Sequence, residues 1–318
     1  ALEIKSSDVH PMGYPTTDAI AYMGELLDKW TNGRITVNIF HSMQLGGEKE
    51  ALEQAQLGAL EMTRVSVGVV GPIVNEFNAF NLPYFFRSRD HMYNVVDGEI
   101  GTELFQKLED GGLVGLGYMD AGSRSFYNNV RPVRTVEDLK GLKMRFFGLG
   151  AKVMEKMGVS TQLLAGGDIF PALERGSIDA TEFSMPAIDL NLGFYQVAKH
   201  YYFPGWHQQS TLFDLMMNKD KYDALSDTQK AQIDAVCGAN ITAGLAEGEA
   251  IQGAALAELK EKGVTIHRWP PEVLAELEGA WNEVAAELAA SNPTFKKVWD
   301  SLSAYREQYK VWGDLGYL

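Results

Sequence analysis

A single cysteine, Cys237, excludes a disulfide within the chain. Oxidative stapling is therefore not what holds this fold. One thiol suits the cytosol, and equally a large periplasmic protein whose core needs no staples. Positive charge is scarce as well. Lys and Arg number 28 against 42 Asp and Glu, a net charge of −14, which excludes nucleic acid as a partner because phosphate contacts need a basic face. No apolar run reaches the roughly 18 residues that a membrane-spanning helix needs. The chain opens on strand-like Ala1-Leu2-Glu3-Ile4-Lys5, without the basic and then apolar regions of a signal peptide. Repeats and low-complexity linkers are missing too. So are the motifs of common catalysts: no nucleophile elbow, no His-Glu-x-x-His, no phosphate-binding loop, no Cys-x-x-Cys. Gly115-Leu116-Gly117 matches part of a dinucleotide fingerprint but lacks its third glycine and its helix.

What is present is an alternation of strand and helix patterns in an ordinary globular composition. Residues 2–7 and 35–40 alternate like half-buried strands, and 60–70 reads as a third. Between them Thr16–Trp30 and Glu48–Leu57 have helical spacing, ended by Asn32-Gly33 and Gly58. That order predicts a parallel sheet with crossover helices. Residues 113–121 and 211–217 read as buried strands. Between those two lies a second α/β block, with strands at 143–147, 160–164 and 178–181 and helices at 149–157 and 168–175. Asp168 stands where a helix N-cap belongs. From Ser226 onward the pattern is helical, apart from a short strand at 264–267. The fold class predicted is α/β, with each lobe a mainly parallel sheet flanked by helices and with long C-terminal helices. Lobe I takes 1–121 and 211–252, and lobe II takes 122–210 and 253–318. In such folds ligands bind at the carboxyl ends of strands, in the cleft between lobes.

The stretch from 122 to 182 carries the chemistry. Arg124 and Arg145 each close a strand-like run, and Glu182 with Phe183 follows. A guanidinium is always charged and presents a planar fork that matches a carboxylate, so Arg145 is expected to hold an organic anion bidentately. Phe147, Phe183 and Trp206 supply apolar walls, and on a strand Phe146 and Phe147 would point to opposite faces. Ser66 and Asn75 are candidate donors from the first lobe. Glu182 beside an anion site makes sense if it meets a ligand hydroxyl, holds a cation or orients Arg145.

The chain resembles the solute-binding proteins of tripartite ATP-independent periplasmic (TRAP) transporters, the DctP family, along nearly its whole length. The resemblance rests on Phe40-His41-Ser42-Met43-Gln44-Leu45-Gly46-Gly47, Leu82-Pro83-Tyr84, Gly122-Ser123-Arg124, Lys140–Arg145, Pro171-Ala172-Leu173, Ile178–Glu182 and Asn218-Lys219. It implies a two-lobed cleft that closes over a small organic acid, a periplasmic location with the signal peptide removed, and membrane subunits of the transporter as partners. It also implies that the protein is not an enzyme. The arginine at position 145 is the family's carboxylate clamp, and Arg124 matches a second arginine found at ligand or hinge positions.

Within the family, Gly148-Leu149-Gly150, Gly166–Phe170 and Tyr202–His207 are similar to the branch that binds 2-oxo acids. That favours a 2-oxo or 2-hydroxy monocarboxylate, with a sugar acid or C4-dicarboxylate as the alternative. The branch also implies a cation, Na+ or Ca2+, held by Glu182, the Phe183 carbonyl and the residue at position 208. Here that residue is Gln208, a neutral donor that weakens such a site. The apolar stripe of 292–318 is a candidate homodimer contact. An enzyme using Glu182 and His207 as acid and base is the reading from another class, and a sensor lobe has the same sequence features as a transport protein.

Overall fold

The computed structural model describes residues 1–74, 76–77, 80, 83, 94–121, 126–128, 131–209 and 211–316. They form two compact units. The first is Ala1–Phe80, Val96–Ala121 and Thr211–Ala250; the main parts of the second are Gly122–Ser210 and Ile251–Leu318.

The first unit runs β1 (Leu2–Ser7), α1 (Pro15–Thr31), β2 (Ile35–Phe40), α2 (Glu48–Gln56), β3 (Met62–Ser66), α3 (Glu99–Asp110) and β4 (Leu113–Ala121). It resumes as β10 (Thr211–Asn218), α7 (Lys219–Asp223) and α8 (Asp227–Ala250). α1 starts with Pro15, has Asp18 in its first turn and Lys29 in its last, and buries Ala19, Ile20, Met23 and Leu27, so its dipole and its apolar stripe agree. Asn32 adopts the left-handed conformation at φ 52° and ends it. The sheet order is β2-β1-β3-β10-β4.

The second unit holds β5 (Phe126–Asn128), β6 (Lys143–Arg145), α4 (Gly150–Lys156), β7 (Ser160–Gln162), α5 (Gly166–Glu174), β8 (Ala180–Glu182), α6 (Pro186–Asn191) and β9 (His200–Phe203). It closes with α9 (Gln252–Glu261), β11 (Thr265–Arg268), α10 (Pro271–Ser291) and α11 (Pro293–Gly316). Its sheet order is β11-β9-β5-β8-β6-β7. Tyr127, Ile169, Leu173, Ile178, Phe194, Tyr201 and Leu259 form the core on one face.

Both sheets are mainly parallel, and each has one strand running against the rest: β10 in the first and β5 in the second. Each is the first strand made after the chain passes from one unit to the other, a direction that periodicity cannot report. Several local expectations are corrected. The third strand stops at Ser66, and Val67–Val70 forms a 3-10 turn. Asp168 is not the N-cap of its helix; Ala165 is, and Asp168 lies in the first turn, where a carboxylate still suits the dipole. β6 ends at Arg145, so Phe146 and Phe147 are placed by the following turn rather than by strand alternation. The Gly117 of the partial fingerprint is a packing residue. A Cβ there would lie 2.9 Å from the Cβ of Cys237, so glycine lets α8 approach β4.

Candidate functional site

β9, β8, β6 and β7 run in one direction, because β5 reverses twice between β9 and β8. Their carboxyl ends therefore share one edge of the second sheet. Arg145 is the last residue of β6 and Glu182 the last of β8. Trp206, His207 and Gln208 follow β9 by a few residues. This edge is where α/β sheets bind ligands.

Arg145 is only 5 % exposed and Glu182 is fully buried. The guanidinium is held on several sides. Its Nε donates to the Leu164 carbonyl at 3.1 Å, and its Nη1 donates to the Glu182 carbonyl at 2.9 Å. Nη1 also meets the Glu182 carboxylate Oε1 at 2.5 Å. The Phe183 ring lies beneath, 5.3 Å from the guanidinium carbon. Glu182 Oε1 additionally accepts from the Phe147 N–H at 2.7 Å, and Oε2 is 3.5 Å from His207 Nε2. A buried pair of this kind is stable only with such extra hydrogen bonds.

Aromatic packing fixes the surroundings. Phe146 stands edge-on to His207 at 4.8 Å and tilts against Trp206 at 6.0 Å. Gly150, the first residue of α4, makes room for them, since a Cβ there would lie 2.6 Å from the Phe146 ring and 3.1 Å from the His207 Cβ. Gly166 does the same under Phe183, whose Cζ would be 2.8 Å away.

The structure thus brings Arg145, Glu182, Phe147 and Phe183 into direct contact and puts Trp206 beside them through Phe146. Gln208 is buried two residues further on. Ser66 lies in the first unit, buried at the end of β3. Arg124 and Asn75 lie outside the described residues. Nε and Nη1 of Arg145 serve protein acceptors. Glu182 Oε1 faces a guanidinium and an amide N–H. Among the described residues no group of three or more His, Cys, Asp or Glu side chains could hold a metal. Sequence reasoning missed the Leu164 carbonyl, a backbone contact with no residue signature.

Residues 6–292 match the family model for bacterial extracellular solute-binding protein, family 7, DctP. A crystal structure of a TRAP periplasmic solute-binding protein from Pseudomonas putida F1 with bound D-glucuronate is 37 % identical, with a TM-score of 0.82, covering 93 % of this chain and 96 % of that one. The C4-dicarboxylate-binding periplasmic protein DctP of Rhodobacter capsulatus is 32 % identical over 291 residues, 88 % of this chain and 83 % of that protein. The monocarboxylate 2-oxoacid-binding periplasmic protein of Nostoc is 29 % identical over 285 residues, 89 % of this chain and 78 % of that protein. Against a solute-binding protein from Chromohalobacter salexigens, 34 % identical, the alignment spans 61 % of this chain and 58 % of that protein.

Proposed function

We propose that this chain, which belongs to the bacterial extracellular solute-binding proteins of family 7 (DctP), captures a small organic acid in the periplasm and hands it to the membrane subunits of a TRAP transporter. One observation carries the reading: a buried arginine whose plane is fixed by the Leu164 carbonyl and by Glu182 at the carboxyl ends of parallel strands. Orientation is set before the ligand arrives, so little entropy is lost in binding. We assign the guanidinium of Arg145 to the solute carboxylate. Because Glu182 offsets the guanidinium charge, directed hydrogen bonds and the dry aromatic surroundings, rather than net charge, supply the affinity in a protein that carries −14 overall. Phe183 and Trp206 serve as walls.

The same geometry argues against an acid–base pair of Glu182 and His207. Glu182 Oε1 is committed to Arg145 and Phe147, and the His207 contact at 3.5 Å is long for proton transfer. A thermal-shift screen against small carboxylates tests the reading. Several acids should raise the melting temperature of the wild-type protein and none that of Arg145→Ala. A full shift in the variant removes the assignment. The distal end of α11 exposes Val311, Trp312 and Leu315, and we assign these to a second copy of the chain, checked by light scattering of wild type against Trp312→Glu.

A further inference from the structure

A buried carboxylate of the second unit, Asp189, takes no part in the reading above. It stands in the first turn of α6 and is fully buried. Each of its oxygens accepts a hydrogen bond: Oδ1 takes the Ser184 N–H at 3.0 Å, and Oδ2 takes the Tyr201 hydroxyl at 2.8 Å. Ser184 directly follows Phe183, and Phe183 follows Glu182. The acid therefore fastens the turn that leads from the partner of Arg145 into α6.

A row of aromatic rings makes the return connection. Tyr201, on β9, stacks on Tyr127 of β5 with ring centres 3.8 Å apart. Tyr127 meets Phe194 edge-on at 6.0 Å, and Phe194 meets Phe183 edge-on at 6.1 Å. The Phe183 ring then lies 5.3 Å from the guanidinium carbon of Arg145. Phe183 is thus held twice. Its main chain is fixed by Asp189 through Ser184, and its ring by a packed row that starts at the tyrosine whose hydroxyl the same acid holds. The Tyr127 phenol registers the acid nearby, since burial and then the Asp189 charge push its pKa up. Burying a carboxylate is costly. Satisfying it with donors from two different elements gives one fixed arrangement of turn, strand and ring.

We propose that Asp189 is a positioning residue for solute binding: by holding the Ser184 N–H and the Tyr201 hydroxyl it keeps the Phe183 ring under Arg145, and so supports the orientation in which the guanidinium meets the solute carboxylate. The inference rests on the solute-binding reading and adds to it a residue that acts through another. Chemistry explains the residue type. A carboxylate accepts at both oxygens, whereas asparagine has one acceptor oxygen and would turn an NH2 group towards one of the two donors. Alanine would leave the buried Ser184 N–H unpaired.

Two measurements on the full chain test this, the first without ligand. In a nitrogen–proton correlation NMR spectrum the Arg145 Nε–H, which donates to the Leu164 carbonyl, is assigned by its loss in Arg145→Lys, and it feels the ring current of Phe183. The Nε–H of Arg64, buried in the first unit and donating to Asp8 Oδ2 at 2.8 Å, is the internal reference. Asp189→Ala should shift or broaden the Arg145 signal and leave the Arg64 signal in place, whereas general loss of structure would change both. The second measurement is isothermal titration with D-glucuronate, succinate and 2-oxobutyrate. For the acid that binds the wild type most tightly, Asp189→Ala should weaken binding by about three- to tenfold, and Asp189→Asn, which keeps one of the two contacts, by about two- to fourfold. In a Phe183→Leu background the further effect of Asp189→Ala should largely vanish, because the acid acts through that ring. Circular dichroism checks the fold of each variant, and if Asp189→Ala does not fold, Asp189→Asn decides. An unmoved Arg145 signal, wild-type affinity in the folded variants, or an undiminished effect in the Phe183→Leu background overturns the proposal. If the Asp189 variants bind as the wild type does while Arg145→Ala does not bind, this inference falls and the solute-binding reading stands. If Arg145→Ala binds as the wild type does, that reading falls and takes this inference with it.

Discussion

Arg145 and Glu182 meet twice through a single nitrogen: Nη1 donates to the backbone carbonyl of Glu182 and to its carboxylate. The strand that carries the acid therefore also fixes the arginine through its main chain. Replacing Arg145 with alanine removes both contacts and leaves a buried carboxylate held by the Phe147 N–H and by His207. A buried ion pair broken from one side costs about 3–5 kcal/mol. Arg145→Ala should lower unfolding stability by about that much in urea melts, besides abolishing ligand-induced stabilisation. Arg145→Ala combined with Glu182→Ala should cost clearly less than the sum of the single variants. Additive costs would mean that the two side chains do not act as a unit.

Because that carboxylate is occupied by an arginine and an amide, solute binding should not need a metal. Titrations with the same organic acid before and after dialysis against a chelator should give dissociation constants within about twofold, well under the tenfold that 1.4 kcal/mol represents. Restoration of lost affinity by added Ca2+ or Na+ would assign Glu182 to a cation and force Arg145 to another partner.

Much of this was legible in advance, for identifiable reasons. The strand–helix alternation of the first unit is set by apolar periodicity, and β1 and β2 begin and end as the pattern predicts. Arg145 and Glu182 stand out in the sequence chiefly through the family resemblance, since an arginine at the end of a strand in an unrelated chain reads as a surface residue. The direction of β5 and β10 was not legible, since it depends on where the chain re-enters each sheet. Arg64 was hidden for a different reason. An arginine in a strand ordinarily reads as an outward-facing residue, and only the register with β1 shows that Asp8 meets it inside. Its sequence signal was an Arg flanked by Met62, Thr63, Val65 and Val67, with an Asp just past the neighbouring strand.

Close packing makes Gly117 a sensitive position. A methyl group there would stand 2.9 Å from the Cβ of Cys237 on α8, and both neighbours are buried backbone elements that cannot swing aside. Overpacking of this kind costs about 1–3 kcal/mol. Gly117→Ala should lower stability in urea melts by that amount and leave organic-acid affinity unchanged, because the contact is remote in sequence and strand position from Arg145. Adding Cys237→Ala does not relieve the clash, since the colliding atom is the Cβ that alanine keeps, whereas Cys237→Gly should restore part of the lost packing. The Cys237 thiol itself should resist alkylation at neutral pH. Burial, with Asp214 and Asp234 nearby, pushes its pKa up to about 12, and the thiolate is the reactive form.

Asp214 gives the protein a pH response opposite in sign to that of Asp8. The Asp214 carboxyl is fully buried on β10, and burial raises its pKa well above the ordinary carboxylate range, against a weaker opposing pull from the Gly117 and Leu215 N–H groups. Below the ordinary range the group is protonated whether the chain is folded or not and costs nothing. As pH rises from there towards the elevated native value, the unfolded chain releases this proton while the folded one keeps it. Stability is therefore lost across that window. For Asp8 burial also pulls upward, but the Arg64 guanidinium and the hydrogen bonds around the carboxylate more than offset it and lower its pKa. Its contribution is present above the ordinary carboxylate range and is lost as pH falls through the depressed value. Asp214→Asn removes one effect and leaves the other. The variant should match the wild type in acid, near pH 3.5, and become progressively more stable than it as pH rises to 8, measured as the difference between paired urea melts. A flat difference across that range would show that Asp214 ionises normally in the folded protein.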